Sequence, residues 1–247
     1  MDSIIWRVEE VASIASTNAW LVEEARRGAP EGRAIMAHYQ SAGRGRLDRR
    51  WEAPAGSALL LSLLLRPGTV RGASWTVSAV ALSLRAGLVR LSGVRPTLKW
   101  PNDLVVGDEK IGGLLGELVT VDPPSIVVGV GVNLTESPPG IPATSVARLS
   151  GVTIWPRALC DIVLEEVEKR RSLLENTAGL ATLREEYLGA SATIGRPVRV
   201  ELIDGAITGD AVDVDDDGAL IVDVEGERRI FSAADVVHLR VRQRGDE

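Results

Sequence analysis

The segment Ala58-Leu59-Leu60-Leu61-Ser62-Leu63-Leu64-Leu65 constrains this chain more than any other, being apolar at every position but Ser62. A run this short without polar alternation marks a strand covered on both faces, and crossing a bilayer would take about 20 apolar residues. Such a strand needs a layer of structure on each side, and its neighbours in sequence supply them. Ser16 or Thr17 caps a helix that ends at Gly28 and turns Leu21, Val22 and Ala25 inward. Ala73 to Leu91 repeats Val77, Val80, Ala81, Leu84 and Leu88 at helical spacing, which predicts a helix across one face of the sheet. Arg33 to Tyr39, Leu114 to Val121 and Ile126 to Leu134 read as further strands, the last two joined through Asp122-Pro123-Pro124-Ser125. Pro156 opens a helix carried on by Leu159, Ile162, Val163, Glu166 and Val167, and another helix covers Leu180 to Leu188. The fold class expected is α+β, a mixed sheet with helices packed on it.

After Gly189 the texture changes. Pro197 to Ile203, Ala206 to Val214, Ala219 to Val224 and Arg228 to Phe231 alternate over short lengths, punctuated by Asp204-Gly205, Asp217-Gly218 and Glu225-Gly226. Short strands with regular glycine turns predict a small β-barrel. The division expected is therefore 1–190 for a principal domain and 191–247 for the barrel, within a total of 247 residues. The acidic run Asp213-Val214-Asp215-Asp216-Asp217 lacks the ligand spacing of a calcium loop and reads as a solvated turn. Arg242 to Glu247 reads as a frayed tail.

Charge and cysteine content exclude several classes of function. Lys+Arg 28 against Asp+Glu 34 gives a net charge of −6, so no general basic field gathers nucleic acid. Cys160 is the single cysteine and has no intramolecular partner, and no C-x-x-C motif exists to hold zinc. The start MDSIIWRVEEV carries acids where a signal peptide has a basic start and an apolar run. Secretion, a disulfide scaffold and membrane insertion are not expected. The two histidines, His38 and His238, lie far apart and build neither a metal pair nor a triad, and His38 is expected within a strand. No P-loop and no G-x-G-x-x-G fingerprint occurs.

Three stretches could carry chemistry. Gln40 to Trp51 concentrates Arg44, Arg46, Arg49 and Arg50 on one loop of an acidic chain, with Gly43 and Gly45 between them. Glycine lets backbone N–H groups approach an anion, arginine offers paired donors to carboxylate or phosphate, and Trp51 offers a face for a base. A solvated basic loop is the plainer account of the same residues. In Lys99-Trp100-Pro101-Asn102-Asp103, followed by Lys110-Ile111-Gly112-Gly113, a two-residue Gly107-Asp108 turn would pair Lys110 with Val105. Asp103 would then lie diagonally on the same face, within reach of Lys110; a turn one residue longer would separate them. A surface hairpin with an idle lysine is the alternative. In Val127 to Leu134, Gly129 and Gly131 interrupt a strand that ends near Asn133, which marks the close approach of either a ligand or a packed helix.

Taken together and in order, Ser16-Thr17-Asn18, the Gln40 to Trp51 loop, Lys99 to Asp103, Lys110 to Gly113 and Gly129-Val130-Gly131-Val132-Asn133 resemble the biotin protein ligases. The resemblance runs from near Ser16 to about Val241 and includes a small SH3-like C-terminal barrel. It implies a two-step reaction: biotin and ATP, the substrates, form biotinyl-5′-AMP and pyrophosphate, and a lysine of a biotin carboxyl carrier protein or domain then displaces AMP. It implies catalytic roles for Lys110 and Arg46. Biotin is expected to be held by Ser16, Thr17, Asn18, Gln40 and the loop residues Gly43, Arg44, Gly45 and Arg46, with Lys110, Gly112 and Gly113 beside it. The adenylate is expected at Arg46, Arg49, Trp51, Asn102, Asp103, Lys110 and Asn133. Mg²⁺ is expected with ATP, without identifiable protein ligands. Asp48 stands where loops of this family commonly carry a third glycine. Only 15 residues precede Ser16, too few for a helix-turn-helix module, so the resemblance is to a ligase without DNA-binding activity. A cytoplasmic monomer or homodimer with neither DNA nor membrane as partner is expected. A lipoate–protein ligase-like enzyme and a non-catalytic biotin-binding sensor are the alternatives.

Overall fold

The structure is a computed structural model describing residues 3–47, 49–202, 205–232 and 234–238. Asp48, Asp204 and the expected tail from Arg242 to Glu247 lie outside the described residues. Strands β1 (Arg7–Val11), β2 (Arg33–Ala37), β3 (Ala58–Leu65), β4 (Thr97–Lys99), β5 (Asp103–Val106), β6 (Glu109–Val121) and β7 (Pro124–Asn133) form one sheet in the order β1-β2-β3-β7-β6-β5-β4. β1 runs parallel to β2 and the other ladders are antiparallel, so the sheet is mixed, as expected.

All residues of β3 are buried between β2 and β7. Leu59, Leu61, Leu63 and Leu65 join the main core with helix α2 (Val70–Ser92), the short α3 (Val146–Ser150), α4 (Pro156–Arg171) and α5 (Thr177–Ala190). Leu64 faces the other way and packs with Leu21, Val22 and Ala25 of α1 (Thr17–Arg26). Burial of each leucine contributes roughly 1.5–3 kcal/mol, which makes this two-sided strand the anchor of both layers. Helix α2 is long and apolar enough to cross a bilayer by length and composition, and most of it is buried inside the protein. Thr69 Oγ1 caps it by accepting from Gly72 N, and Gly93 ends it at φ 75°. Cys160 is free and buried on α4; loss of solvation, then the nearby Asp161, pushes its thiol up to about 12, so it is inert at neutral pH.

The β6–β7 connection is tighter than its sequence implies. Val121 already pairs with Pro124 and Thr120 with Ser125, leaving Asp122-Pro123 as the turn. His38 stands just beyond β2, half-exposed and 3.0 Å from Glu10, rather than within the strand.

The C-terminal module contains β8 (Pro197–Leu202), β9 (Gly205–Val214), β10 (Leu220–Val224), β11 (Glu227–Phe231) and β12 (Asp235–His238), all antiparallel in the order β11-β10-β9-β8-β12. Among the described residues no ladder joins β11 to β12, so the expected barrel is present as a five-stranded sheet. Its acidic run is not simply solvated. Asp215 Oδ1 accepts from Asp217 N and Ala219 N, both at 2.9 Å, and folds the turn. The folded turn presents two carbonyls to indoles of the main domain: Trp75 Nε1 donates to Asp216 O at 2.8 Å, and Trp100 Nε1 to Gly218 O at 3.1 Å. Arg71 pairs with Asp217 at 2.9 Å, and Arg184 with Asp213. A buried indole N–H needs an acceptor, and this turn supplies one for each tryptophan.

Candidate active site

Helix α1, the arginine loop, the β5–β6 hairpin, β7 and β12 surround a cavity of about 710 Å³, large enough for a ligand well beyond the size of a single small metabolite. The two strand glycines set its floor. Gly129, Gly131 and Asn133 alternate along one face of β7. A methyl group at Gly129 would meet Asn18 Oδ1 at 2.3 Å, and one at Gly131 would meet Trp51 Cε2 at 2.4 Å. The glycines therefore admit a helix residue at one position and an indole at the next. Asn133, 2% exposed, donates from Nδ2 to Thr144 O at 3.0 Å.

One end of the cavity is neutral and polar. Ser16 caps α1 by accepting from Ala19 N. Gln40 Oε1 accepts from Thr17 N at 2.7 Å and from Thr17 Oγ1 at 2.9 Å. The buried Ser62 hydroxyl, the one break in the apolar β3, lies 2.8 Å from Thr17 Oγ1 and 2.7 Å from Asn18 Oδ1. Asn18 donates from Nδ2 to Leu115 O at 3.2 Å and to Glu117 Oε2 at 2.8 Å.

The other end is cationic. The arginine loop is a narrow hairpin: Trp51 N donates to Gly43 O, Gly45 N to Arg49 O, and Arg44 bridges Arg50. Gly43 does not line the cavity; a methyl there would strike Trp51 O at 2.3 Å, so its place is in closing the hairpin. Gly112 is likewise off the wall, where a methyl would press on Gly131 O at 3.0 Å. Arg46 Nη1 reaches Asn102 Oδ1 at 3.4 Å and Ala234 O at 3.3 Å, tying the loop to the main domain and to the C-terminal module. Asn102 is itself pinned to β6, with Leu114 N donating to its carbonyl at 2.9 Å.

The β5–β6 hairpin turns at Gly107-Asp108, and Val105 pairs with Lys110, as the shorter of the two turns requires. Lys110 Nζ lies 2.6 Å from Asp103 Oδ1. A bulge at Ile111 then sets Gly113 opposite Asp103, and the lysine side chain lies along Gly113, where a methyl would meet Cε and Nζ at 3.1 Å. Segment 142–144 fixes the lysine backbone from the far side: Lys110 N donates to Pro142 O and Thr144 N to Lys110 O, both at 2.9 Å. Above the ammonium, the Trp51 ring centroid is 5.6 Å away. Every other expected site residue, Ser16, Thr17, Gln40, Arg44, Arg49 and Asn102 among them, lines the same cavity. Lys99 of the Lys99–Asp103 stretch and the turn residue Asp108 line it too, though the sequence assigns neither a ligand, as does Val236, which carries no expectation from sequence; Glu117 braces the cavity from beneath Asn18.

A polar pocket joined to a cationic trough, with one lysine fixed between them, suits the activation of a small carboxylic acid by a nucleotide. The comparisons give that class its name. The sequence pattern described as "Biotin/lipoate A/B protein ligase family" matches residues 10–133, and that described as "Biotin protein ligase C terminal domain" matches residues 193–239. The chain is 38% identical over 249 residues to the biotin--[acetyl-CoA-carboxylase] ligase of Mycobacterium tuberculosis, covering 95% of this chain and 90% of that one. It is 34% identical to the ligase of the same name from Paracoccus denitrificans, covering 82% of this chain and 88% of that protein. Among solved structures, a biotin protein ligase from Aquifex aeolicus in complex with biotin and ATP has the same fold, with a TM-score of 0.80, 24% identity and coverage of 95% of this chain and 99% of that one. The chain belongs to the biotin protein ligase family.

Proposed function

We propose that the protein joins biotin to ATP to give biotinyl-5′-AMP and then transfers the biotinyl group to one lysine of a carboxylase's biotin carboxyl carrier domain. The observation that carries this is Lys110, held 2.6 Å from Asp103 and 5.6 Å from the Trp51 ring at the junction of the polar pocket and the arginine trough. In the first step a biotin carboxylate oxygen attacks the α-phosphorus, and the bond to pyrophosphate breaks with its electron pair leaving on oxygen. Negative charge gathers where two anions meet, and a fixed ammonium there lowers the barrier without reorganising. In the second step the carrier amine attacks the acyl carbon, loses a proton, and AMP leaves with the bonding pair.

Ser16, Thr17 and Gln40 serve the ureido ring, whose neutral donors and acceptor need matching groups in a closed pocket. That polar end favours biotin over a lipoyl group, whose dithiolane ring offers no such hydrogen bonds. Arg44 and Gly45 close over it, with Gly43 and Gly112 shaping the backbone behind. Arg46, Arg49 and Asn102 hold the phosphate side, and the Trp51 indole serves as the platform for adenine. Asn133 braces that side through Thr144.

Magnesium enters as the companion of ATP. It would be held chiefly by substrate phosphates and water; of the cavity carboxylates, Asp103 is already paired with Lys110 at 2.6 Å, and Asp108 stands on the wall. Among the described residues no group of three histidine, cysteine or acidic side chains forms a resident metal cage. The division at about residue 190 gives catalysis to the main domain, while the C-terminal sheet closes the cavity with β12. A cytoplasmic monomer or homodimer acting without DNA or membrane completes the proposal. Pyrophosphate release that requires both ATP and biotin tests it, and release driven equally by lipoate would refute the choice of acid.

A further inference from the structure

Glu117 lies on β6 on the same face as Gly113 and Leu115, which line the cavity, and its carboxylate reaches two different elements at once. Oε2 accepts from Asn18 Nδ2 at 2.8 Å, and Oε1 accepts from Arg44 Nη1 at 3.1 Å. Asn18 is 3% exposed; its two Nδ2 hydrogens go to Leu115 O and Glu117 Oε2, and its Oδ1 lies 2.7 Å from the Ser62 hydroxyl. It therefore has no donor left for a ligand and acts as a strut. The same Ser62 hydroxyl lies against Thr17, whose N–H and hydroxyl both donate to Gln40. A continuous chain of contacts thus runs from Arg44 on the loop, through Glu117, Asn18 and Ser62, to Thr17 and Gln40 at the polar end.

An ion pair between exposed arginine and glutamate is ordinarily worth little. Glu117 differs because it is only 25% exposed in its side chain and because its second oxygen holds a buried amide. We propose that Glu117 is a positioning residue for biotin: it fixes Arg44 over the pocket while holding Asn18, and with it the first turn of α1, in the orientation that presents Thr17 and Gln40. This rests on the cavity being the biotin site. The carboxylate does not touch the reacting atoms, so its loss acts on binding of the acid and leaves the chemical step at saturation.

The test uses the full-length protein and its Glu117→Gln, Glu117→Asp and Glu117→Ala variants, with biotin titrated by calorimetry and pyrophosphate release followed at saturating ATP. Glu117→Gln keeps an oxygen for Asn18 and removes the charge facing Arg44, so biotin Kd and KM should rise about tenfold, the low end for a hydrogen bond to a charged group. The kcat at saturating biotin should be nearly unchanged, and Glu117→Asp should recover part of the loss. Arg44→Met combined with Glu117→Gln should bind biotin no more weakly than the poorer single variant, because the two act through one contact. A Glu117→Gln protein with the parent's biotin Kd overturns the proposal, as does a variant whose kcat falls while KM stays fixed. Failure of the parent itself to bind biotin would overturn the assignment of the cavity instead. If Glu117→Ala does not fold, the Gln and Asp variants carry the decision.

Discussion

Gly131→Ala asks whether the Trp51 indole is the nucleotide platform. The added methyl would stand 2.4 Å from Trp51 Cε2 and 2.7 Å from both Cδ2 and Cζ2. Carbon atoms settle at about 3.5–4.0 Å, so the ring must withdraw by about 1 Å. The strand cannot give way instead, because β7 is paired to β3 on one side and to β6 on the other at this residue. Stacking of a base on an aromatic ring is worth about 1–3 kcal/mol, which corresponds to about 5- to 150-fold in affinity. The KM for ATP in biotin-dependent pyrophosphate release should rise within that range. Biotin affinity should change little, because its polar end is built on Thr17 and Gln40. Stability should fall by no more than about 2.5 kcal/mol, since overpacking costs about 1–3 kcal/mol and replacing a strand glycine returns about 0.5–1 kcal/mol. A folded Gly131→Ala protein with the parent's KM for ATP would refute the platform, and so would equal losses for ATP and biotin.

Lys110→Ala should slow single-turnover formation of biotinyl-AMP by about 10²–10³ while the protein stays folded; an unchanged rate removes the lysine from the chemistry. Biotinyl-AMP should raise amide-exchange protection across the arginine hairpin, since the adenylate supplies charge and a stacking surface to four arginines and Trp51; equal protection with and without it would count against closure over the ligand. His238 has its pKa lowered to about 4, chiefly by burial and further by Lys99 and Arg196. The unfolded chain takes up that proton near pH 6.5 and the folded one only near 4, so stability falls as pH drops through this window. Urea midpoints between pH 7 and pH 5 should therefore decline less steeply in His238→Gln, and parallel slopes would show that another group governs the decline.

The chain's own pattern reveals the elements whose burial is two-sided or whose turn chemistry is local. The apolar run of β3 and the helical spacing of α2 are of this kind; the turn at Gly107-Asp108 leaves two lengths open, and the shorter one that forms brings Lys110 to Asp103. β1 escapes such inference because Arg7, Glu9 and Glu10 hide its strand character, and only pairing with β2 makes it a strand. β12 is short and depends in the same way on β8. The strand glycines signal close approach, while the identity of what approaches, Asn18 at one and Trp51 at the other, depends on contacts far apart in sequence. Glu117 gives no sign in isolation, since a glutamate on an alternating strand looks like any solvated residue until α1 and the arginine loop converge on it. The acidic turn is the reverse case: its charges suggest solvent, and its backbone carbonyls dock on Trp75 and Trp100.

On the proposed function, one cavity both activates biotin and hands it to a carrier lysine. The most direct measurement incubates the full-length protein with ATP, Mg²⁺ and either biotin or lipoate, follows pyrophosphate, and then adds a biotin carboxyl carrier domain and reads its mass. Biotin alone should support pyrophosphate release, and the carrier should gain a single biotinyl group on one lysine. Release without biotin, equal release with lipoate, or an unmodified carrier after adenylate has formed would contradict the account.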